Sequence, residues 1–337
     1  MRKLYIHAGY PKTGTTTLQR CVFDPLHRSG DIFYLGMFGF RVDATTARRD
    51  FFRDLTNAMY LATPDFGAEL PKLRQQLAHL LEDVEEKTPV VLSNEHFAQS
   101  QGSTKTEGLS ITPSETFPRL AQVFDGLEVG IMLCLRRQDD LAEALFLEHY
   151  SRADNKAFSD FGCLKRFSDQ VTDRTSLLYN CFDFNQVLHD LQTSFPSSLM
   201  LIWLFEEFRE DNDVILRRIF DFMKIPRGDE AAMKLETLNM KTGREGHVSP
   251  RTKRLVRRIV PDPVRACLGK NGVIKDHLER LLRSRDTVKM SAQEKEAILR
   301  YWSDSNRALS GRHLYLKEVM QRFGYFGLTP GEAPGVL

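Results

Sequence analysis

Lys12 lies in a glycine- and threonine-rich run, His7-Ala8-Gly9-Tyr10-Pro11-Lys12-Thr13-Gly14-Thr15-Thr16-Thr17. The residues before this turn, Leu4-Tyr5-Ile6-His7-Ala8, read as a short buried strand, and those from Thr15 to Phe23 read as a helix. A turn between a strand and a helix aims several backbone N–H groups at one point, and the positive end of the helix adds to them. Lys12 supplies a mobile cation, while Thr13, Thr15, Thr16 and Thr17 offer hydroxyl donors. Pro11 to Thr17 thus form a candidate binding segment for a phosphate or sulfate ester.

The order of residues excludes one common version of such a loop. A Walker A turn ends in Gly-Lys-Ser/Thr, with its lysine at the start of the helix. Here Gly14 is followed by Thr15, and the lysine precedes the glycine by two positions. A second candidate element is the near-continuous apolar strand Leu127 to Leu135, followed by Arg136-Arg137-Gln138-Asp139-Asp140 and a helix. Ligands of open α/β sheets bind at the carboxyl ends of strands, where Arg136 falls beside the first loop. Its planar fork suits a phosphate dianion. Arg137 is the alternative by one step of register. A third strand, Pro89 to Ser93, ends in Asn94-Glu95-His96. An acceptor hydroxyl needs a positioned base, and Glu95 or His96 can serve. Neighbouring residues at a strand end point in opposite directions, so one of the two is expected to face the site, and Glu95 is favoured. His7, inside the first strand, reads as a packed core residue.

The run PKTGTT resembles the 5′-phosphosulfate loop of the sulfotransferase family, where Pro-Lys/Arg-x-Gly-Thr-Thr follows the first strand. The strand ending in Arg136 is similar to the family's second signature, an arginine with a serine eight positions later. That position is Ala144 here, a departure from the pattern, and Ser151 lies two turns further on. The resemblance implies 3′-phosphoadenosine-5′-phosphosulfate as donor cosubstrate and in-line sulfuryl transfer with no metal. Lys12 would neutralise charge on the bridging oxygen, amides of residues 13–16 would hold the 5′-phosphate, and Arg136 the 3′-phosphate. The Ser-Asn-Glu-His run and the Arg-Arg-Gln-Asp-Asp turn look like the bacterial branch that modifies saccharides. A hydroxyl-bearing saccharide or small molecule is therefore the expected acceptor. Tyr10, Phe38, Phe40 and Phe97 are candidates for an apolar or sugar-stacking wall. Two other functions are weighed against this one. A P-loop nucleotide kinase would require magnesium and a Walker lysine, and a non-catalytic binding protein would retain the nucleotide pocket without transfer.

Several elements must position these residues. Helical patterns cover residues 44–62 and 68–86, a Ser/Thr/Gly-rich loop covers 98–112, and a helix starts at Thr112-Pro113-Ser114-Glu115. A helix near 184–194 precedes a strand over Ser198 to Phe205, a basic stretch runs from Lys241 to Arg258, and a long final helix spans 291–323. The loop after His96 is a candidate acceptor lid. Lys241, Arg244, Arg251, Lys253 and Arg254 either cover the nucleotide or form a solvated face. Unalternating apolar strands separated by helices indicate an α/β fold with a central parallel sheet buried on both faces. The expectation is a single domain over 1–337, P-loop-like and three-layered. It has a nucleotide-binding core over about 1–210 and a mainly helical part over about 211–325.

The chain has 337 residues, 42% hydrophobic and 27% charged, as an ordinary globular protein does. A net charge of +2 argues against a protein that coats nucleic acid, so any anion site must be local. Five dispersed cysteines, Cys21, Cys134, Cys163, Cys181 and Cys267, lack paired spacing for zinc or a disulfide framework. The apolar run after Met1-Arg2-Lys3 stops at Ala8, short of a secretory leader. No stretch approaches the roughly 20 apolar residues of a membrane span. A cytoplasmic, bacterial protein is the expectation, with oligomeric state left open.

Overall fold

The strand Val90–Ser93 buries all four residues, and Glu128–Leu135 buries its last six. Strands with no water-facing side need cover on both faces, which is the condition of a parallel sheet between helical layers. The computed structural model describes residues 2–36, 46–99, 101–102, 110–151, 164–176, 178–226 and 290–327. In chain order its elements begin with β1 (Lys3–His7), α1 (Thr15–Leu18), a π-helical turn (Gln19–Phe23), α2 (Asp24–Ser29) and β2 (Phe33–Gly36). Next come α3 (Thr46–Ala58), α4 (Thr63–Leu81), β3 (Val90–Ser93), β4 (Gln101–Gly102), β5 (Ser110–Ile111) and α5 (Pro113–Val123). They are followed by β6 (Glu128–Leu135), α6 (Gln138–Ser151), α7 (Leu164–Val171), α8 (Tyr179–Phe182), α9 (Phe184–Ser194) and β7 (Leu199–Leu204). Helices α10 (Phe205–Glu210), α11 (Asn212–Met223), α12 (Ala292–Arg312) and α13 (Leu314–Arg322) complete the described chain.

Five strands form one sheet in the order β2-β3-β1-β6-β7, every neighbouring pair parallel. This is the α/β architecture expected from the sequence. On one face Leu4, Ile6, Val90, Leu92, Ile131 and Leu133 pack with residues of α3–α9, α12 and α13. On the other, Tyr5, Val91, Met132, Cys134 and Trp203 meet Leu18, Val22, Phe23 and Leu26 of the first helical run, and Ile215 and Ile219 of α11. Alternate side chains of each strand serve opposite layers.

Several expectations need correction. The strand β2 was not foreseen; Phe33–Gly36 is only four residues long and follows directly on the turn at Gly30. The first helix is not regular through Phe23 but widens to a π-helical turn at Gln19–Phe23. The second helix of the 44–86 region begins at Thr63 and ends at Leu81, and Phe66 joins its buried face. The helix expected over 291–323 is two helices, because His313 adopts extended φ −137°, ψ 97° between them. The strand expected to end at Phe205 stops at Leu204, since Phe205 opens α10. The start of α5 agrees with the sequence, where the Glu115 carboxylate accepts the Thr112 backbone N–H at 2.9 Å. Cys163, Cys267 and the basic run 241–258 lie outside the described residues, whereas Cys21, Cys134 and Cys181 form no disulfide.

The C-terminal helices are tied to the start of α6 by buried amides. Gln138 Nε2 donates to Asn306 Oδ1 at 2.8 Å, and Asn306 Nδ2 donates back to Gln138 Oε1 at 3.1 Å and to the Tyr325 carbonyl at 2.8 Å. Both amides are fully buried. Removing one side strands the polar atoms of the other, which costs about 1–3 kcal/mol. The Gln138→Leu variant is therefore expected to lose about that much stability in urea unfolding. A loss within the scatter of surface substitutions would show that the pair contributes nothing.

Candidate functional site

The sheet order places β1 between β3 and β6, so three loops converge at one edge. Residue 7 pairs in register with Ser93 on one side and Met132 on the other. Beyond those positions follow the turn Gly9–Gly14, the turn Glu95–Ala98 and Arg136. The carboxyl end of the sheet thus gathers the three sequence-derived candidate segments, as open α/β folds do.

The first turn owes its shape to two left-handed residues, Lys12 (φ 65°) and Gly14 (φ 80°). Gly14 has a double reason to be glycine. Its φ disfavours an L side chain, and a Cβ there would stand 3.0 Å from the Phe208 ring. The Gly14 carbonyl accepts Thr17 N–H at 2.9 Å and Leu18 N–H at 3.1 Å, so Thr15 and Thr16 N–H have no intrahelical partner. Among the described residues no hydrogen bond uses the N–H of Thr13 or Gly14. Successive amides of this kind form an anion-binding concavity.

The threonines divide into two sets. Thr13, Thr15 and Thr17 are buried, while Thr16 is half-buried, as are Lys12 and Gly14. The hydroxyls of Thr13 and Thr15 both donate to the Tyr10 carbonyl, Thr15 at 3.2 Å. They brace the turn from inside. Pro11 is buried, and Tyr10 is fully buried with its ring edge-on to Phe184. Phe97 is also buried in the core. Neither aromatic ring can form a wall facing an acceptor, which corrects that expectation. Phe38 and Phe40 lie outside the described residues.

The two arginines after β6 differ in what they touch. Arg136 Nη1 donates to the Lys12 carbonyl at 2.7 Å, and its guanidinium lies 4.8 Å from the centre of the Phe205 ring. Its Nε is buried without a partner, and burial pulls the guanidinium below its ordinary pKa. Arg137 instead spends its fork on Asp139, with Nε to Oδ1 at 2.7 Å and Nη2 to Oδ2 at 3.0 Å. Its Nη1 donates to the Phe323 carbonyl at 3.2 Å, fixing the end of the C-terminal helices. Glu206 accepts the Arg137 backbone N–H at 3.1 Å and the Tyr325 hydroxyl at 2.8 Å. Burial raises the pKa of that carboxyl. Ala144 is half-buried on α6.

Glu95 and His96 belong to a turn rather than to the strand, so the alternation expected of a strand end does not separate them. Both are half-buried. Asn94 is buried, receives the His96 backbone N–H on its side chain at 3.0 Å, and donates its own N–H to the His7 carbonyl at 3.2 Å. The expected lid is described only in part. Ala98 and Gln99 are buried and β4 pairs antiparallel with β5, while residues 103–109 lie outside the described set.

Comparison of folds adds solved structures of similar arrangement. A sulfotransferase from Alicyclobacillus acidocaldarius is 14% identical with a TM-score of 0.48, the match covering 93% of this chain and 96% of that one. A mouse sulfotransferase complexed with PAP is 14% identical with a TM-score of 0.45, covering 95% and 88%. A sulfotransferase domain from the curacin biosynthetic pathway is 13% identical with a TM-score of 0.39, covering 88% and 95%. All three are sulfotransferases. No family model matches the sequence, and no curated protein sequence matches it. Among the described residues no group of three or more His, Cys, Asp or Glu side chains is arranged to hold a metal ion, and no helix is long and apolar enough to cross a membrane.

Sequence reasoning missed the polar group beneath the turn. His7 is fully buried, stacked on Trp203 at 5.9 Å between ring centres and edge-on to Phe23 at 5.7 Å. Its Nδ1 lies 2.9 Å from Ser93 Oγ, which also accepts Gln19 Nε2 at 2.9 Å. Burial lowers the His7 pKa from 6.5 to about 4. An unfolded chain therefore binds a proton that the folded one does not, and stability present above pH 6.5 is lost as pH falls toward 4. The His7→Phe variant keeps the aromatic stack and is expected to lose roughly 3 kcal/mol less than the parent between pH 6.5 and 4. Equal slopes of unfolding free energy against pH would refute the buried neutral histidine.

Proposed function

We propose that the protein is a sulfotransferase that moves the sulfuryl group of 3′-phosphoadenosine-5′-phosphosulfate to a hydroxyl acceptor, a saccharide or glycoconjugate. The observation that carries the reading is the β1–α1 turn. It has unpartnered amides at residues 13–16, a lysine in left-handed backbone, and that lysine's carbonyl held by Arg136 from the adjacent strand. Lys12 precedes the glycine rather than following it, which supports a phosphosulfate over a Walker-type nucleoside triphosphate.

In this reading the amides of Thr13, Gly14, Thr15 and Thr16 bind the 5′-phosphate, with Pro11 and the buried Thr13, Thr15 and Thr17 fixing the turn. Lys12 neutralises the charge that develops on the bridging oxygen as the S–O bond breaks. Arg136 binds the 3′-phosphate. Its unpartnered Nε supports that role, and Arg137 is occupied by Asp139. Glu95 removes the acceptor proton as the new S–O bond forms, with His96 as the alternative base. Lys12 and the amides act where charge develops on the leaving phosphate, and such preorganised donors contribute most to rate. A single domain and a cytoplasmic location complete the reading.

Two measurements test it. Adenosine 3′,5′-bisphosphate at 100 times its dissociation constant is expected to stabilise the protein by about 2.7 kcal/mol without magnesium. Stabilisation by ATP with magnesium and none by the bisphosphate would replace the reading with a kinase. In turnover over a panel of saccharide acceptors, Lys12→Ala is expected to lose activity while its thermal midpoint holds. Glu95→Gln should lower kcat by about 10²–10⁴. Parent-like turnover of Lys12→Ala would sink the proposal, and a larger loss in His96→Asn than in Glu95→Gln would move the base to His96.

A further inference from the structure

Beneath the turn runs a buried polar chain that none of the proposed steps uses. Gln19 stands on the helical run that begins at Thr15, Ser93 is the last residue of β3, and His7 is the last residue of β1. Gln19 Nε2 donates to Ser93 Oγ at 2.9 Å, and Ser93 Oγ lies 2.9 Å from His7 Nδ1. All three side chains are 1% exposed or less. The backbone repeats the link, since Asn94 N–H donates to the His7 carbonyl at 3.2 Å. Its His7 end therefore lies against the anion-binding turn, and its middle member, Ser93, is followed at once by Asn94-Glu95-His96.

Both ends of the chain are unsatisfied. His7 Nε2 and Gln19 Oε1 are buried and make no hydrogen bond. A Cβ built on Gly9 would lie 2.9 Å from His7 Nε2 and 3.3 Å from Thr15 Oγ1, so the ring edge abuts the turn itself. The Ser93 Oγ–His7 Nδ1 bond runs in either direction according to the ring tautomer, and in both tautomers Nε2 is a buried polar atom without a partner. An unpaired buried polar atom beside a turn gains a partner if the turn tightens onto it. A partner gained only on tightening is a differential interaction of the kind that coupling requires.

We propose that the Gln19–Ser93–His7 chain couples occupation of the Gly9–Gly14 turn to the position of the Asn94–Phe97 turn, with His7 as the positioning residue. The inference rests on the donor-site reading above. Tightening of the first turn on a phosphate ester satisfies His7 Nε2, holds Ser93, and thereby orders the segment that bears Glu95 and His96. The ring makes no contact with the reacting atoms in this role. The ring is held by Trp203 stacked on it and Phe23 packed edge-on.

Hydrogen–deuterium exchange with adenosine 3′,5′-bisphosphate tests the coupling without any acceptor. In the parent protein the bisphosphate is expected to slow exchange in peptides covering 9–18 and also 94–99. Ser93→Ala and His7→Phe should keep the ligand-induced protection of 9–18 and lose at least half of that at 94–99. Comparing bound with free exchange within each variant removes any general loosening, which a merely structural role would produce. Should His7→Phe fail to fold, Ser93→Ala and Gln19→Met carry the comparison. Undiminished protection of 94–99 in the variants, or none there in a parent whose 9–18 peptide is protected, overturns the coupling alone. A parent that does not bind the bisphosphate overturns the donor-site reading and the coupling with it.

Discussion

A sheet covered by side chains on both faces leaves its polar chemistry one place to go, the ends of the strands. Here the interior strands are apolar almost throughout, and their carboxyl ends carry nearly every buried polar group near the candidate site: His7, Ser93, Asn94, Thr13, Thr15, Gln138 and Asp139. Because β3, β1 and β6 are neighbours, the turns that follow them are neighbours too, although residues 9, 95 and 136 are far apart in the chain. The close meeting of Arg136 with the Lys12 carbonyl follows from that order. Change the strand order and the same residues would scatter along the edge.

Charge is arranged locally rather than globally. The chain is almost neutral overall, yet Lys12, Arg136 and Arg137 gather at one edge of the sheet. Asp139 engages the Arg137 fork, and Lys295 is paired with Asp140 at 2.8 Å, so the acidic residues of α6 hold the cations that fix structure. Arg136 is treated differently. It hydrogen-bonds a carbonyl and lies over an aromatic face, and it feels the charges of Asp140 and Glu206 without pairing directly with either. A guanidinium kept charged in a desolvated position interacts with an anion far more strongly than one in open water.

The sequence made the sheet legible because four of its strands are apolar runs between polar turns, and the β1–α1 turn stood out because glycine, proline and threonine occur there in a definite order. Short or context-dependent features were hidden. Phe33–Gly36 becomes a strand by pairing with β3, which no local pattern announces. The break at His313 and the widened turn at Gln19–Phe23 interrupt otherwise continuous helical patterns. Tyr10 and Phe97 looked available to a ligand because sequence gives residue type without burial. His7 could be read as a core residue, but its partner Ser93 lies 86 positions away and only the register of β1 against β3 brings the two together.

The reciprocal amides of Gln138 and Asn306 join residues 168 positions apart. During synthesis at roughly 5–20 residues per second, the first partner therefore waits on the order of ten seconds or more for the second. Through that interval the start of α6 has an exposed amide where the finished protein has a sealed one, and Arg137 lacks the Phe323 carbonyl. The candidate nucleotide edge is thus among the last parts of the molecule to set. A nascent chain is assembled from its first strand outward, but the arginine-bearing turn is locked only when the final helices arrive.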